Sequence, residues 1–109
     1  MAVSFSRGRM RAMTFQEFRA SLGGSAPPED LPALLKALWW DGNENFDRAH
    51  GIAQDIESAD AAWVHAYLHR KEGDAGNAGY WYRRAERPFP KNTLDEEWQE
   101  IATELLQPL

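Results

Sequence analysis

The run AAWVHAYLHRKEGDAGNAGYWYRRA, residues 61–85, constrains the fold of this chain more than any other segment. Helix-compatible residues extend on both sides of Gly73 and Asp74, a pair typical of one helix end followed by the N-cap of the next helix. Ala66 and Ala78 stand where these helices would touch, and small side chains let helix axes approach closely. The run therefore predicts two antiparallel helices packed against each other.

Start and stop signals predict further helices on either side of this pair. Thr14 is followed three residues later by Glu17, the spacing of a capping box, and Thr93 with Glu96 repeats it. Asp60 is expected to cap the fourth helix. The predicted helices cover residues 15–22 and 94–106, each about one helix, and 31–57 and 60–86, each about one helix pair. No segment alternates apolar and polar residues with period two, so we predict an all-α fold.

Composition limits the classes of function. With no cysteine and a formal charge of −5 among 109 residues, disulfides, thiolate nucleophiles and cysteine-bound metals are excluded. The acidic body disfavours nucleic acid, whose binding needs cationic contacts, and no apolar run approaches the roughly 20 residues that span a bilayer. We therefore predict a cytoplasmic protein without nucleic-acid or membrane partners.

One domain is expected at this length. We predict a basic N-terminal arm over residues 1–13, in which arginines stand without acidic neighbours, and a single helical domain over residues 14–109. The acidic residues of the last predicted helix are expected to form a solvated face. Those residues are Glu96, Glu97 and Glu100. No GxSxG elbow or cysteine is present, so we predict no catalytic nucleophile.

Two features carry a resemblance to known helical repeats. Gly42 and Gly73 punctuate successive helix pairs and lie 31 residues apart, close to the roughly 34-residue tetratricopeptide period. The segment AGYWYRRA, residues 78–85, resembles the second helix of a Sel-one-like unit, with Tyr82 filling the seam. The first pair departs from the repeat, because Gly51 stands where an aromatic residue is expected. The resemblance implies antiparallel helix pairs stacked in an array.

The body of the chain also resembles a group of short, uncharacterised bacterial and fungal helical proteins. The resemblance rests on WWD at residues 39–41, AH at 49–50, IAQD at 52–55 and the segment 60–85. It implies the all-α fold and no particular activity.

The three histidines are the candidate metal ligands. His65 and His69 are four residues apart on one predicted helix, with Glu72 three residues further, so all three project from one face. His50 on the preceding helix would supply a third imidazole. Three histidines and a water form a known catalytic zinc arrangement, in which a bound hydroxide hydrolyses esters or amides. Because HAYLH lacks the glutamate of HExxH, we favour packing and hydrogen bonding, and keep the metal site as the alternative.

Aromatic and cationic residues of the inner helices form a candidate peptide-binding groove. Its residues are Lys36, Trp39, Trp40, Trp63, Tyr67 and Arg70. Aromatic side chains with cationic neighbours suit an extended peptide, unless the first or last helix covers them and makes them core. We predict a non-enzymatic module that binds a protein or peptide and uses no cofactor. The alternative is a metal- or small-ligand-binding protein, with hydrolysis as its reaction.

Overall fold

The computed structural model describes residues 13–107, and six α-helices lie within that range. Their bounds are α1 Phe15–Ala20, α2 Ala33–Gly42, α3 Phe46–Gln54, α4 Ala59–Lys71, α5 Ala75–Arg84 and α6 Leu94–Leu105, with a 3₁₀ turn at Ser21–Gly23 after α1. None of the described residues is in a strand, so the all-α prediction is confirmed. The predicted arm lies outside the described residues except for Met13.

Side-chain caps start the helices as predicted at Thr14, Asp74 and Thr93, but not at Asp60. The capping boxes at Thr14 and Thr93 are both formed, and Asp74 accepts a backbone hydrogen bond at the start of α5. The prediction that Asp60 caps α4 is wrong, because the Ser58 hydroxyl accepts the N–H three residues on, at 3.0 Å. Asp60 instead lies in the first turn, where a carboxylate interacts favourably with the helix dipole.

Three helices end with a residue in the left-handed backbone conformation. The φ angles are 89° at Gly73, 61° at Glu44 and 60° at Glu86. The left-handed residue after α2 is thus Glu44. Gly42, which the sequence comparison aligns with Gly73, does not have this conformation. Gly42 serves close packing instead, since a Cβ there would lie 3.0 Å from the Leu22 side chain.

This shift changes how the two helix pairs align. The N-caps Asn45 and Asp74 are 29 residues apart, whereas Gly42 and Gly73 are 31 residues apart. At this spacing Ala49 on α3 corresponds to Ala78 on α5, and both are completely buried. The second helix of each pair therefore carries a buried alanine at the same distance from its N-cap.

Helix α4 is the centre of the molecule. It contacts α2, α3, α5 and α6, and every residue from 61 to 68 is buried. The two helix pairs, α2 with α3 and α4 with α5, pack against each other, and α6 lies against α2 and α4. Trp98 anchors α6, since its Nε1 donates to the Leu38 carbonyl at 3.1 Å and its ring stacks on Phe18.

Candidate metal centre

The three histidines meet where α3 packs on α4. One ring nitrogen from each of His50, His65 and His69 lies within 4.8 Å of the others. The Nε2 atoms of His50 and His65 are 3.0 Å apart. In tetrahedral zinc sites the Zn–N bond of 2.0–2.1 Å places two ligand nitrogens roughly 3.3 Å apart. The first two imidazoles are therefore already at ligand spacing, a distance that an N–H···N hydrogen bond also satisfies.

Aromatic neighbours orient these imidazole rings. His65 and His69 stack with centroids 4.9 Å apart, while His50 meets both edge-on at 4.6 and 5.4 Å. Trp81 stacks on the His65 ring at 4.0 Å, and Phe46 stacks on the His50 ring at 5.6 Å. The packing of α3, α4 and α5 thus restricts the rotation of the rings whose nitrogens converge.

Glu72 contacts His69 rather than the other histidines. Its Oε2 lies 2.7 Å from Nδ1 of His69. A metal-bound histidine typically donates its second ring N–H to a carboxylate in this way, which leaves the lone pair on the other nitrogen for the metal. The alternative metal site predicted from the sequence includes Glu72 as a ligand. In the structure Glu72 is outside the three-histidine group and belongs to a second, neighbouring group with His69 and Asp74.

His65 is the most buried of the three histidines, with 7% of its surface exposed. Burial, and then the charges of His50 and His69, lower the pKa of His65 to about 4. The imidazole is therefore neutral at pH 7. Metal ligation requires the neutral form, so protons do not compete with a metal ion at this residue near neutrality.

We expect mild acid to destabilise the metal-free protein through His65. The pKa of this side chain is 6.5 when unfolded and about 4 when folded, so the unfolded state binds more protons between those values and stability falls as pH falls. The loss approaches about 3 kcal/mol at pH 4. Denaturant unfolding with a chelator at pH 7 and pH 4.5 measures it. The wild type should lose more stability than His65→Gln, and equal losses would contradict the assignment.

The predicted groove is covered, by α6 on its α4 side and by the turn after α1 at Trp39. The exposed fractions of Trp39, Trp63 and Tyr67 are 1%, 2% and 3%. These rings are core residues and not an open surface. Trp63 donates to Glu97 of α6 at 3.2 Å, whereas Trp39 donates to the Ser21 hydroxyl, in the turn after α1, at 3.1 Å. Arg70, the cationic residue of the groove on α4, is turned toward α6 and pairs with Glu97 at 2.7 Å.

The other two groove residues lie nearer the surface. Lys36 and Trp40 are half-buried on α2, and the Arg48 guanidinium lies 4.4 Å from the Trp40 ring centroid. This cation–π contact covers a face of the indole. The six residues of the predicted groove therefore do not form one continuous open surface.

The sequence analysis does not predict two buried carboxylates, those of Asp41 and Glu97. Asp41 accepts from the Tyr67 hydroxyl at 2.9 Å and from the Lys71 ammonium at 3.0 Å. The prediction that Glu97 lies on a solvated face is wrong, because only 1% of its surface is exposed. The sequence does indicate this burial, because Glu97 stands four residues before Ile101 and so lies beside the apolar stripe of α6.

Glu97 joins α6 to α4 and α5. Its carboxylate accepts from the Arg70 guanidinium at 2.7 Å, the Tyr82 hydroxyl at 2.6 Å and the Trp63 indole N–H at 3.2 Å. Arg70 also donates to the Asn92 carbonyl. Burial and the hydrogen bond to Glu97 raise the pKa of Tyr82, so the phenol remains a donor throughout the physiological range. A buried charge that is this well bonded has a structural role.

No protein-family model matches the chain, and no curated protein or solved structure matches it either. Among the helices of the described range, none is both long and apolar enough to cross a bilayer.

Proposed function

We propose that this protein binds one divalent transition-metal ion through His50, His65 and His69. The observation that carries the proposal is the 3.0 Å separation between the Nε2 atoms of His50 and His65, with a nitrogen of the third imidazole within 4.8 Å. Imidazole suits Zn²⁺, Cu²⁺, Fe²⁺ and Ni²⁺. Three histidines with an open fourth position are a common zinc arrangement, so Zn²⁺ is the ion that we expect.

The surroundings of the cluster support ligation. Lowering of the pKa keeps His65 neutral at physiological pH, and Glu72 holds Nδ1 of His69. His50 and His69 are half-buried rather than enclosed, which leaves a route for an ion to enter. A small movement of His69 toward the other two rings would complete a three-nitrogen site.

Peptide binding, which the sequence favoured, has less support. A peptide in the predicted groove would have to displace α6 and leave Arg70 without its Glu97 partner. Binding of a protein at another surface, the cytoplasmic location and the resemblance to tetratricopeptide repeats stay predictions. Hydrolysis by a zinc-bound hydroxide also stays a prediction, since it depends first on the metal.

Zinc titration of untagged, metal-free protein tests the proposal. We expect one equivalent of Zn²⁺ to bind, measured by competition with a chromophoric chelator and by elemental analysis after dialysis. His50→Ala should weaken binding by more than the roughly 10–100-fold that loss of an outer-shell partner costs, whereas Glu72→Gln should cost about tenfold. Circular dichroism of each variant confirms that the fold is retained.

Asp74→Asn is the matched control, because it alters only the second group of candidate ligands, His69, Glu72 and Asp74. Asparagine also caps helices well, so the start of α5 should persist. Zinc binding that survives His50→Ala but is lost in Asp74→Asn would place the ion in the second group. That result, or a wild-type protein that holds no zinc, would contradict the proposal.

A further inference from the structure

A cleft with a volume of about 320 Å³ lies beside the histidine cluster. It is bounded by the end of α3, the start of α4 and the C-terminal half of α5. His65 lines the cleft and is also a proposed metal ligand, and Trp81, which stacks on His65 at 4.0 Å, forms another part of the wall. The volume falls at the lower end of the range for small organic ligands.

The lining of the cleft combines an apolar floor with charged groups at its edge. Ala53, Ala61 and Ala62 are buried and form much of the floor. Arg84 and Glu57 are exposed and supply one charge of each sign. The floor suits a hydrocarbon body of modest size, so the charged groups decide which polar end a ligand would carry.

Arg84 has hydrogen-bonding capacity left for a ligand. Its guanidinium lies 5.1 Å from the Trp81 ring centroid and donates to the Tyr80 hydroxyl at 3.0 Å. Within residues 13–107 no carboxylate forms an ion pair with it. A guanidinium presents five N–H donors in a planar fork that matches a carboxylate, and the single bond to Tyr80 leaves most of them unused.

We propose that the cleft binds a small organic carboxylate next to the metal ion, an inference that rests on the proposed metal site. A divalent ion and Arg84 together outweigh the negative charges of Glu57 at the cleft and Glu72 beside His69, so the metal-loaded cleft attracts anions. The carboxylate accepts from Arg84, and the hydrocarbon part covers the alanine floor. The same balance of charge makes binding weaker in the metal-free protein.

Phenylacetate is the probe, because it has one carboxylate and a compact apolar body. Its proton NMR signals should shift or broaden saturably with the Co²⁺-loaded protein, and far less with the Zn²⁺-loaded protein, since only Co²⁺ is paramagnetic. Phenylacetamide, which has the same shape and no charge, should bind at least about tenfold more weakly, because it lacks the charge-assisted hydrogen bonds.

Variants around the cleft separate the contributions to binding. Arg84→Gln should weaken phenylacetate binding about tenfold or more while leaving the Co²⁺ absorption spectrum unchanged. Arg83→Gln is the matched control, because Arg83 is the neighbouring exposed arginine and does not line the cleft. It should change the affinity less than about twofold. Glu57→Gln should strengthen binding, because it removes the negative charge at the edge.

The outcomes distinguish this inference from the proposed function. A Co²⁺ spectrum that requires His50, together with no response of phenylacetate or equal responses of the acid and the amide, would overturn the inference alone. An Arg84→Gln protein with wild-type affinity would do the same. Failure of Co²⁺ to bind would overturn the metal site and this inference together.

Discussion

Replacing Glu97 with alanine should lower the free energy of unfolding by about 3–5 kcal/mol. The change leaves the Arg70 charge, the Tyr82 hydroxyl and the Trp63 indole N–H without their shared acceptor. Each of these donors is at least partly buried, so water cannot fully replace the carboxylate, and unpaired buried polar groups retain their desolvation penalty. Urea unfolding followed by circular dichroism measures the loss.

Glu104→Ala is the control for this variant. It makes the same chemical change on α6, but Glu104 is exposed, so its effect should stay within about 0.5 kcal/mol. If both variants unfold at the same urea concentration, Glu97 does not hold α6 against α4. Zinc should partly restore the stability of Glu97→Ala by mass action, because the histidine cluster lies between α4 and α3 rather than under α6.

Replacing Trp98 with alanine should also lower the free energy of unfolding by about 3–5 kcal/mol. The ring contacts Phe18 at a centroid distance of 5.5 Å and Phe15 at 5.8 Å, and its Nε1 donates to the Leu38 carbonyl at 3.1 Å. Truncation thus opens a cavity at the point where α1, α2 and α6 meet. Thermal or urea unfolding of the purified variant gives the value.

Trp98→Phe separates packing from hydrogen bonding at this position. It keeps an aromatic ring in the cavity and loses the donor to Leu38, so the expected loss is smaller, about 1–2 kcal/mol. Folded Trp98→Ala should still bind one zinc ion. An equal loss of stability in the two variants would show that the size of the ring is not what holds α6 in place.

The two sides of α4 explain why structural and candidate functional residues are interleaved in the sequence. One set of residues with i, i+4, i+7 spacing is Trp63, Tyr67 and Arg70. A second set with the same spacing starts two residues later and consists of His65, His69 and Glu72. An offset of two residues rotates a set by roughly 200° around a helix. One set therefore faces α6 and its buried Glu97, while the other faces α3 and α5.

The capping boxes and the shared face of two histidines are predicted correctly from the sequence, because each depends only on residues within one or two helical turns. The capping boxes at Thr14 and Thr93 bond within one helical turn, and the spacing of His65 and His69 fixes their common face whatever packs against it. The cap of α4 was misplaced by two residues, since both Ser58 and Asp60 are good N-cap types. Only the hydrogen bond to Ser58 distinguishes them.

The sequence by itself thus determined the all-α class, most helix starts and the common face of two histidines. The tertiary structure alone decided that the predicted groove is closed, that Glu97 is buried and that His50 reaches His65. The contacts responsible join residues far apart in the chain: Glu97 is 34 residues after Trp63, and His65 is 15 residues after His50. Helical periodicity shows which residues share a face, but the choice among apolar faces depends on how all the helices exclude water together.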